Sequence, residues 1–186
     1  MTVKRKLEYN NVIYFITFSC YNWIQLFELA GYDIAYNWFK KLIEKRIGII
    51  GFVIMPNHIH VIFYLPEKAG IVNQIVANGK RFMAYEIVSR LKAKNQNKIL
   101  RRLKDGVSKS EFRSGKIHKV FNTSFDAKIC EAREFVEQKL NYVHHNPVSG
   151  KWSIVDDWSK YPHSSAAYYE YGIQCKTPVT HYLDYF

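Results

Sequence analysis

Two apolar runs stand almost back to back in this chain: "IGIIGFVIM" over residues 47–55 and "HIHVIFYLP" over 58–66. Only Pro56 and Asn57 separate them. Short runs dominated by β-branched and aromatic residues are strands, and a two-residue gap has room only for a tight turn. The pair is therefore read as an antiparallel hairpin, which commits the chain to a sheet. Residues 12–21, "VIYFITFSCY", supply another strand of the same composition.

Helical spacing separates these strands. Ile34, Ala35, Trp38 and Leu42 recur along 30–46, and Ile71, Ile75, Phe82, Ile87 and Leu91 along 70–92, where Gly79 weakens the middle. A fourth strand is expected around "IHKVF", 117–121. The order is β-α-β-β-α-β, an α+β, ferredoxin-like arrangement in which helices cover one face of an antiparallel sheet and leave the other open. A further helix follows at 130–145, then an aromatic tail. The 186 residues fit one domain, 1–186, with no repeat and no linker.

Lys and Arg number 27 against 16 Asp and Glu, a net charge of +11, which points to nucleic acid or another polyanion unless the charge is an evenly solvated surface. From Arg90 to Lys104, "RLKAKNQNKILRRLK" holds seven cations and no acid. Arg101, Arg102 and Lys104 in that run, with Lys80 and Arg81 on the preceding helix, are candidate phosphate contacts. Tyr14, Phe18, Tyr21, Trp152 and Trp158 are candidates for stacking unpaired bases, although most aromatics in such a chain are core. Three cysteines without metal-site spacing suit reduced thiols in a cytoplasm. The first ten residues lack a signal-peptide pattern, and no apolar run reaches the ~18 residues a membrane span needs.

Strand alternation puts His58, His60, Ile62 and Tyr64 on one face and Ile59, Val61 and Phe63 on the other. If the latter pack on the helices, the two imidazoles share the open face about 7 Å apart and can reach one metal ion. A structural histidine pair satisfies the same pattern. On helix 130–145, Tyr142 and Asn146 are four apart at the edge of the stripe formed by Ala132, Phe135, Val136, Leu140 and Val143. Pro147 disfavours helical geometry at Asn146, so a helix cap and a half-buried tyrosine are the plainer readings. His144 and His145 read as phosphate contacts or surface residues.

The Pro-X-His-hydrophobic-His turn, followed by "NYVHHNPV" and "DDWSKYPHSSAAYY", resembles the single-tyrosine HUH transposases. It is most similar to their REP-associated, IS200-like branch. The match runs from the first strand to about Tyr169. Between Trp158 and Ser164-Ser165 the spacing, "SKYPH", is longer than the family pattern. The resemblance implies Tyr142 as nucleophile, His58 and His60 as metal ligands, and an amide or carboxylate one turn after the tyrosine as third ligand, here Asn146. Were Asn146 only a helix cap, Gln138 would be the next candidate. It also implies that 147–186 packs on or near the active site. Two neutral imidazoles and an amide suit one Mg²⁺ or Mn²⁺, whereas zinc would demand thiols or a third histidine.

The activity implied is a single-stranded DNA endonuclease and strand transferase working through a 5′-phosphotyrosine link. Its implied partners are imperfect palindromic hairpins with a short flanking guide sequence, and the protein would be a monomer or homodimer. No nucleotide cofactor is expected, since no phosphate-binding loop motif is present. Two other readings remain: a non-catalytic single-stranded nucleic-acid binder on the same fold, and a metal-dependent phosphoesterase that uses water.

Overall fold

The computed structural model describes residues 9–150 and 153–186; Trp152, one of the stacking candidates, lies outside them. The hairpin forms as expected. Strands β2 (Gly48–Met55) and β3 (His58–Leu65) pair antiparallel, with Met55 opposite His58 across the Pro56-Asn57 turn. Strand β1 (Val12–Ser19) lies on the other side of β3, Thr17 opposite His60 and Ser19 opposite His58. The sheet order is β2-β3-β1-β4, antiparallel throughout.

The fourth strand is displaced from its expected place. β4 is Asp126–Cys130, paired with Ile13–Thr17 of β1. Of residues 117–121, Phe121 alone makes a bridge, to Cys20, and it packs edge-on against Phe18 in the core. Within "IHKVF", Val120 and Phe121 plug the core while Ile117 is exposed. The true edge strand, "DAKIC", does alternate polar and apolar residues, but it is five residues long with a single β-branched side chain, a weak strand signal.

One sheet face carries the main core. Helices α1 (Leu26–Ala30), α2 (Asp33–Glu44) and α3 (Val72–Ala93) close over Ile59, Val61 and Phe63, as the alternation required. The buried stripe of α3 runs through Val72, Val76, Gly79, Met83, Ile87 and Leu91, so Phe82, one position out of phase, is exposed. Gly79 has a packing reason: a Cβ there would collide with the Trp38 indole on α2. Arg90 on α3 donates to both carboxylate oxygens of Asp33, at 2.7 and 2.6 Å, tying the two helices together.

The second face is not left to solvent. Helix α6 (Arg133–His145) lays Val136, Leu140 and Val143 against Ile13, Phe15, Val53, Met55 and Ile62. Leu140 sits so close over the β2 bulge that a Cβ at Gly51 would strike it. The tail then runs along the outer edge of β2. Ile54 N–H donates to the His163 carbonyl at 2.8 Å, Ser165 N–H to the Phe52 carbonyl at 2.9 Å, and Thr180 N–H to the Ile49 carbonyl at 2.8 Å. Ser164-Ser165 thus supply edge pairing, the usual remedy for an unpaired strand edge. Between α3 and β4, helices α4 (Asn97–Asp105) and α5 (Lys109–Arg113) form a basic arm anchored by buried Leu103.

Replacing Gly79 with Ala should lower stability by about 1–3 kcal/mol through overpacking against Trp38, despite Ala's better helix propensity. A lower urea midpoint with an unchanged slope is the expected result, and an unchanged or higher midpoint would show that the α2–α3 contact has slack.

Candidate active site

His58 and His60 both point toward α6 and are each only 4% exposed. Their rings lie 4.8 Å apart and nearly perpendicular. Each is held from behind by a residue that sequence reading passed over. Thr17, opposite His60 in the ladder, meets its Nδ1 at 2.6 Å. Fully buried Asn57 turns its Oδ1 to His58 Nδ1 at 2.6 Å, while its Nδ2 donates to the Trp23 carbonyl at 3.4 Å. Partners behind the ring of this kind set the tautomer, leaving Nε2 for the site. Thr17 had one legible signal, an aliphatic hydroxyl inside a mostly apolar strand beside the histidine hairpin.

Asn146 closes the site from α6. Its Oδ1 lies 3.0 Å from His58 Nε2 and its Nδ2 donates to His60 Nε2 at 3.4 Å. Contrary to the expectation from Pro147, Asn146 keeps helical angles (φ −55°, ψ −39°), and the chain passes directly into a 3₁₀ turn, Asn146–Val148. Pro147 is buried there, and the side-chain contacts of Asn146 offset the steric preference of a residue before proline.

The Nε2 atoms of His58 and His60 both lie within hydrogen-bond distance of the Asn146 amide. Two neutral imidazole nitrogens and an amide oxygen at one place are a donor set that fits a divalent metal. Among the described residues no three His, Cys, Asp or Glu converge anywhere, and the third donor here is an amide.

Burial pushes His58 down to about 4, against a raising contribution from Asn146, and His60 to about 3, where His58 adds to the effect. Both rings are therefore neutral near pH 7, the form that ligates metal. Tyr142 is half-exposed, with its ring edge-on to His60 at 5.2 Å and to Phe15 at 6.0 Å. Phe15 itself stacks on His60 at 5.7 Å, a floor shared by histidine and tyrosine. The four expected site residues, His58, His60, Tyr142 and Asn146, are thus brought together. Gln138 is exposed and makes no hydrogen bond to either histidine among the described residues.

The neighbouring histidines divide. His144 is buried, meeting Ser165 Oγ at 2.8 Å, so it is neither a phosphate contact nor a surface residue. His145 donates from Nδ1 to the Asn141 carbonyl at 2.9 Å and packs on Trp158. Of the candidate phosphate contacts, Arg101, Arg102 and Lys104 are exposed on α4, and Arg81 is exposed with its guanidinium over Phe82. Lys80 donates to the carbonyls of Asn122, Thr123 and Ser124, pinning the loop ahead of β4. Tyr14 and Phe18 are core residues and cannot offer a face to a base.

These burials predict acid sensitivity. In the unfolded chain His58, His60 and His144 take up protons near pH 6.5, but in the folded chain only near 4, 3 and 4. Stability is therefore full above about pH 6.5 and falls as pH drops from there toward 4. Thermal unfolding of chelator-treated protein between pH 7.5 and 5 should show this decline, roughly, and His60→Gln should flatten it. An unchanged slope would mean that these rings are already solvated.

No family model matches the chain, and no curated protein matches it. Among the solved structures that resemble it are two transposases. One, a candidate transposase from Deinococcus radiodurans, is 14% identical, with 77% of this chain and 95% of that chain covered. Its TM-score of 0.43 adds nothing to the fold assignment. The other is a REP-associated tyrosine transposase bound to a REP hairpin, 16% identical, with a TM-score of 0.63. It matches over 98% of this chain and 95% of its own, so the present chain shares its fold with a REP-associated tyrosine transposase from end to end.

Proposed function

We propose that this protein is a metal-dependent single-stranded DNA endonuclease and strand transferase acting on hairpin DNA, with Tyr142 as its nucleophile. One observation carries the reading: Asn146 bridges the two buried histidine Nε2 atoms while Tyr142, one turn earlier on the same helix, sets its ring against His60. The fold shared with a hairpin-bound tyrosine transposase supports the substrate class.

His58, His60 and Asn146 would hold one Mg²⁺ or Mn²⁺. When bound, such an ion withdraws charge from the scissile phosphate. The chain's own residues do the rest. Asn57 and Thr17 keep both imidazoles oriented with Nε2 forward, and burial keeps them neutral. Helix α6 presents the Tyr142 hydroxyl at the rim, half-exposed and open to a strand arriving from solvent. Tyr142 Oη attacks phosphorus as its proton leaves to solvent. The bond from phosphorus to the 3′ oxygen breaks, and that oxygen departs as a 3′-hydroxyl once protonated. The 5′-phosphotyrosine retains the bond energy, so another strand's 3′-hydroxyl can reverse the step and join DNA. The exposed cations of α4 and Arg81 would hold phosphates, and a flanking guide sequence would direct cleavage. No helix among the described residues is long and apolar enough to cross a membrane, and Cys20, Cys130 and Cys175 are free thiols, which agrees with a cytoplasmic protein.

Incubation with hairpin oligonucleotides carrying single-stranded flanks and Mn²⁺ should give a covalent adduct on a denaturing gel, mapped by mass spectrometry to the peptide containing Tyr142. Tyr142→Phe should fold with a stability change below about 1 kcal/mol and yield no adduct. Free product without adduct would indicate a water-using phosphoesterase, and binding without cleavage a non-catalytic binder. His58→Ala and His60→Ala should abolish cleavage with little loss of hairpin affinity, because phosphate contacts dominate binding. Asn146→Ala should lose activity that excess Mn²⁺ partly restores, and failure of any metal concentration to help would remove Asn146 from the ligand set.

A further inference from the structure

We infer that the cleft between α4 and α5 is a pocket for one unpaired nucleotide, its base against Phe112 and Ile117 and its flanking phosphates on Lys104, Lys109 and Arg113. The inference rests on the single-stranded DNA reading above and adds to it a second point of contact, away from the histidines. The cleft is open and holds about 410 Å³, within the ~300–1,000 Å³ that small-molecule pockets span. Phe112 and Ile117 line it and are 65% and 59% exposed, so both apolar side chains border open space and not the core. Among the described residues no other ring and no cation lies over the Phe112 ring.

The walls of the cleft are held in place. Helix α5 starts on a capping box: Glu111 N–H donates to Ser108 Oγ at 3.2 Å, and Ser108 N–H donates to Glu111 Oε2 at 3.0 Å. Lys116 and Lys119 reach the same carboxylate at 2.8 and 3.4 Å, which draws the chain after α5 back against the helix. Lys119 N–H donates to the carbonyl of buried Leu103 at 2.8 Å, closing the arm onto α4. Phe112 is thus carried by a capped and braced helical turn, so its ring is presented to the cleft without having to be ordered on binding.

The charge around it is positive and largely unopposed. Residues 97–119 carry eight Lys or Arg against two acids, Asp105 and Glu111, and Glu111 is already paired. Lys104, Lys109 and Arg113 make no ion pair among the described residues. His118, beside Ile117, is held below the usual histidine range, first by burial and then by the charges of Lys92 and Lys104. Cations alone would suit any polyanion. Bare apolar side chains among them select one that also offers a flat apolar face, which is a nucleotide whose base is not stacked inside a duplex. The arm rejoins the sheet at its histidine end: Phe121 bridges Cys20, and Asn122 N–H donates at 3.0 Å to the carbonyl of Ser19, the residue opposite His58. DNA held at the histidines therefore has the arm as its neighbour.

The test compares two probes of equal charge and length, an oligothymidylate of about a dozen nucleotides and an abasic strand, bound to the full-length protein and read by fluorescence anisotropy. Phe112→Ala should weaken oligothymidylate binding roughly tenfold, the value of one lost base stack, and leave the abasic strand unchanged. Phe112→Tyr should bind as the wild type does, whereas Phe112→Leu should show most of the loss, since bulk without a flat ring does not stack. Lys109→Ala combined with Arg113→Ala should weaken both probes alike and lower the salt slope by roughly 1.4, the share of two single-strand phosphate contacts. An iodouracil-substituted strand should crosslink on irradiation to the peptide containing Phe112. Unchanged oligothymidylate affinity in Phe112→Ala, equal losses on both probes, or crosslinks confined to other peptides would overturn the inference and leave the DNA reading standing. A dimer in the wild type that Phe112→Ala dissociates would overturn it too, by making the cleft a contact between copies. A wild type that binds neither probe would overturn both the pocket and the single-stranded DNA reading. Phe112-dependent binding without a Tyr142 adduct would uphold the pocket and remove only the proposed chemistry.

Discussion

Everything at the site depends on helix α6 packing across the sheet face that carries the histidines. Val136, Leu140 and Val143 bury against Ile13, Val53 and Ile62, and this apolar contact sets the height and rotation of the helix. Tyr142 and Asn146 then follow from helical geometry, without contacts of their own having to hold the helix in place. Gly51 lets Leu140 come close, so the absence of one side chain on β2 governs where a tyrosine sits over β3. A helix shifted by one residue would move both groups about 100° around its axis and dissolve the site.

Burial does two things at once here. It makes the imidazoles poor bases, since the charged form loses its hydration, and it thereby keeps their lone pairs available at neutral pH. The cost of burying such polar rings is offset by Thr17 and Asn57, each of which satisfies the nitrogen facing away from the site. Tyr142 stands in contrast, half in water on the rim. A rigid, dry donor set beside an accessible hydroxyl separates the task of holding from the task of reacting.

The tail resolves a different difficulty. Strand β2 is the outer strand of the sheet and, left bare, would offer an unpaired edge to any other strand. Residues 163–165 and Thr180 occupy that edge, and Ser165 reaches on to His144 on α6. The same segment that protects the sheet thereby braces the back of the tyrosine helix. Trp158, packed at a tilt on His145, belongs to this brace.

The hairpin, the alternation of β3 and the two long helices were legible in the sequence because each depends on local periodicity: two for a strand, 3.6 for a helix. Those periods alone place His58 with His60 on one face and Tyr142 with Asn146 along one helix edge. What periodicity cannot express is which surfaces meet. β4 was misplaced because a five-residue edge strand with one β-branched side chain gives a weak signal, while the core-filling Val120-Phe121 pair gives a strong one. Phe82 was assigned to a buried stripe that passes one residue away, through Met83. Asn57 stayed silent as an ordinary turn residue, and the hydroxyl of Thr17 was a faint signal at best, since their roles exist only across the ladder or between turns brought together by folding. Sequence by itself determined the chemistry on each element, and tertiary packing alone decided that the elements converge, because the contacts joining His58 to Asn146 span 88 residues and no local pattern reaches that far.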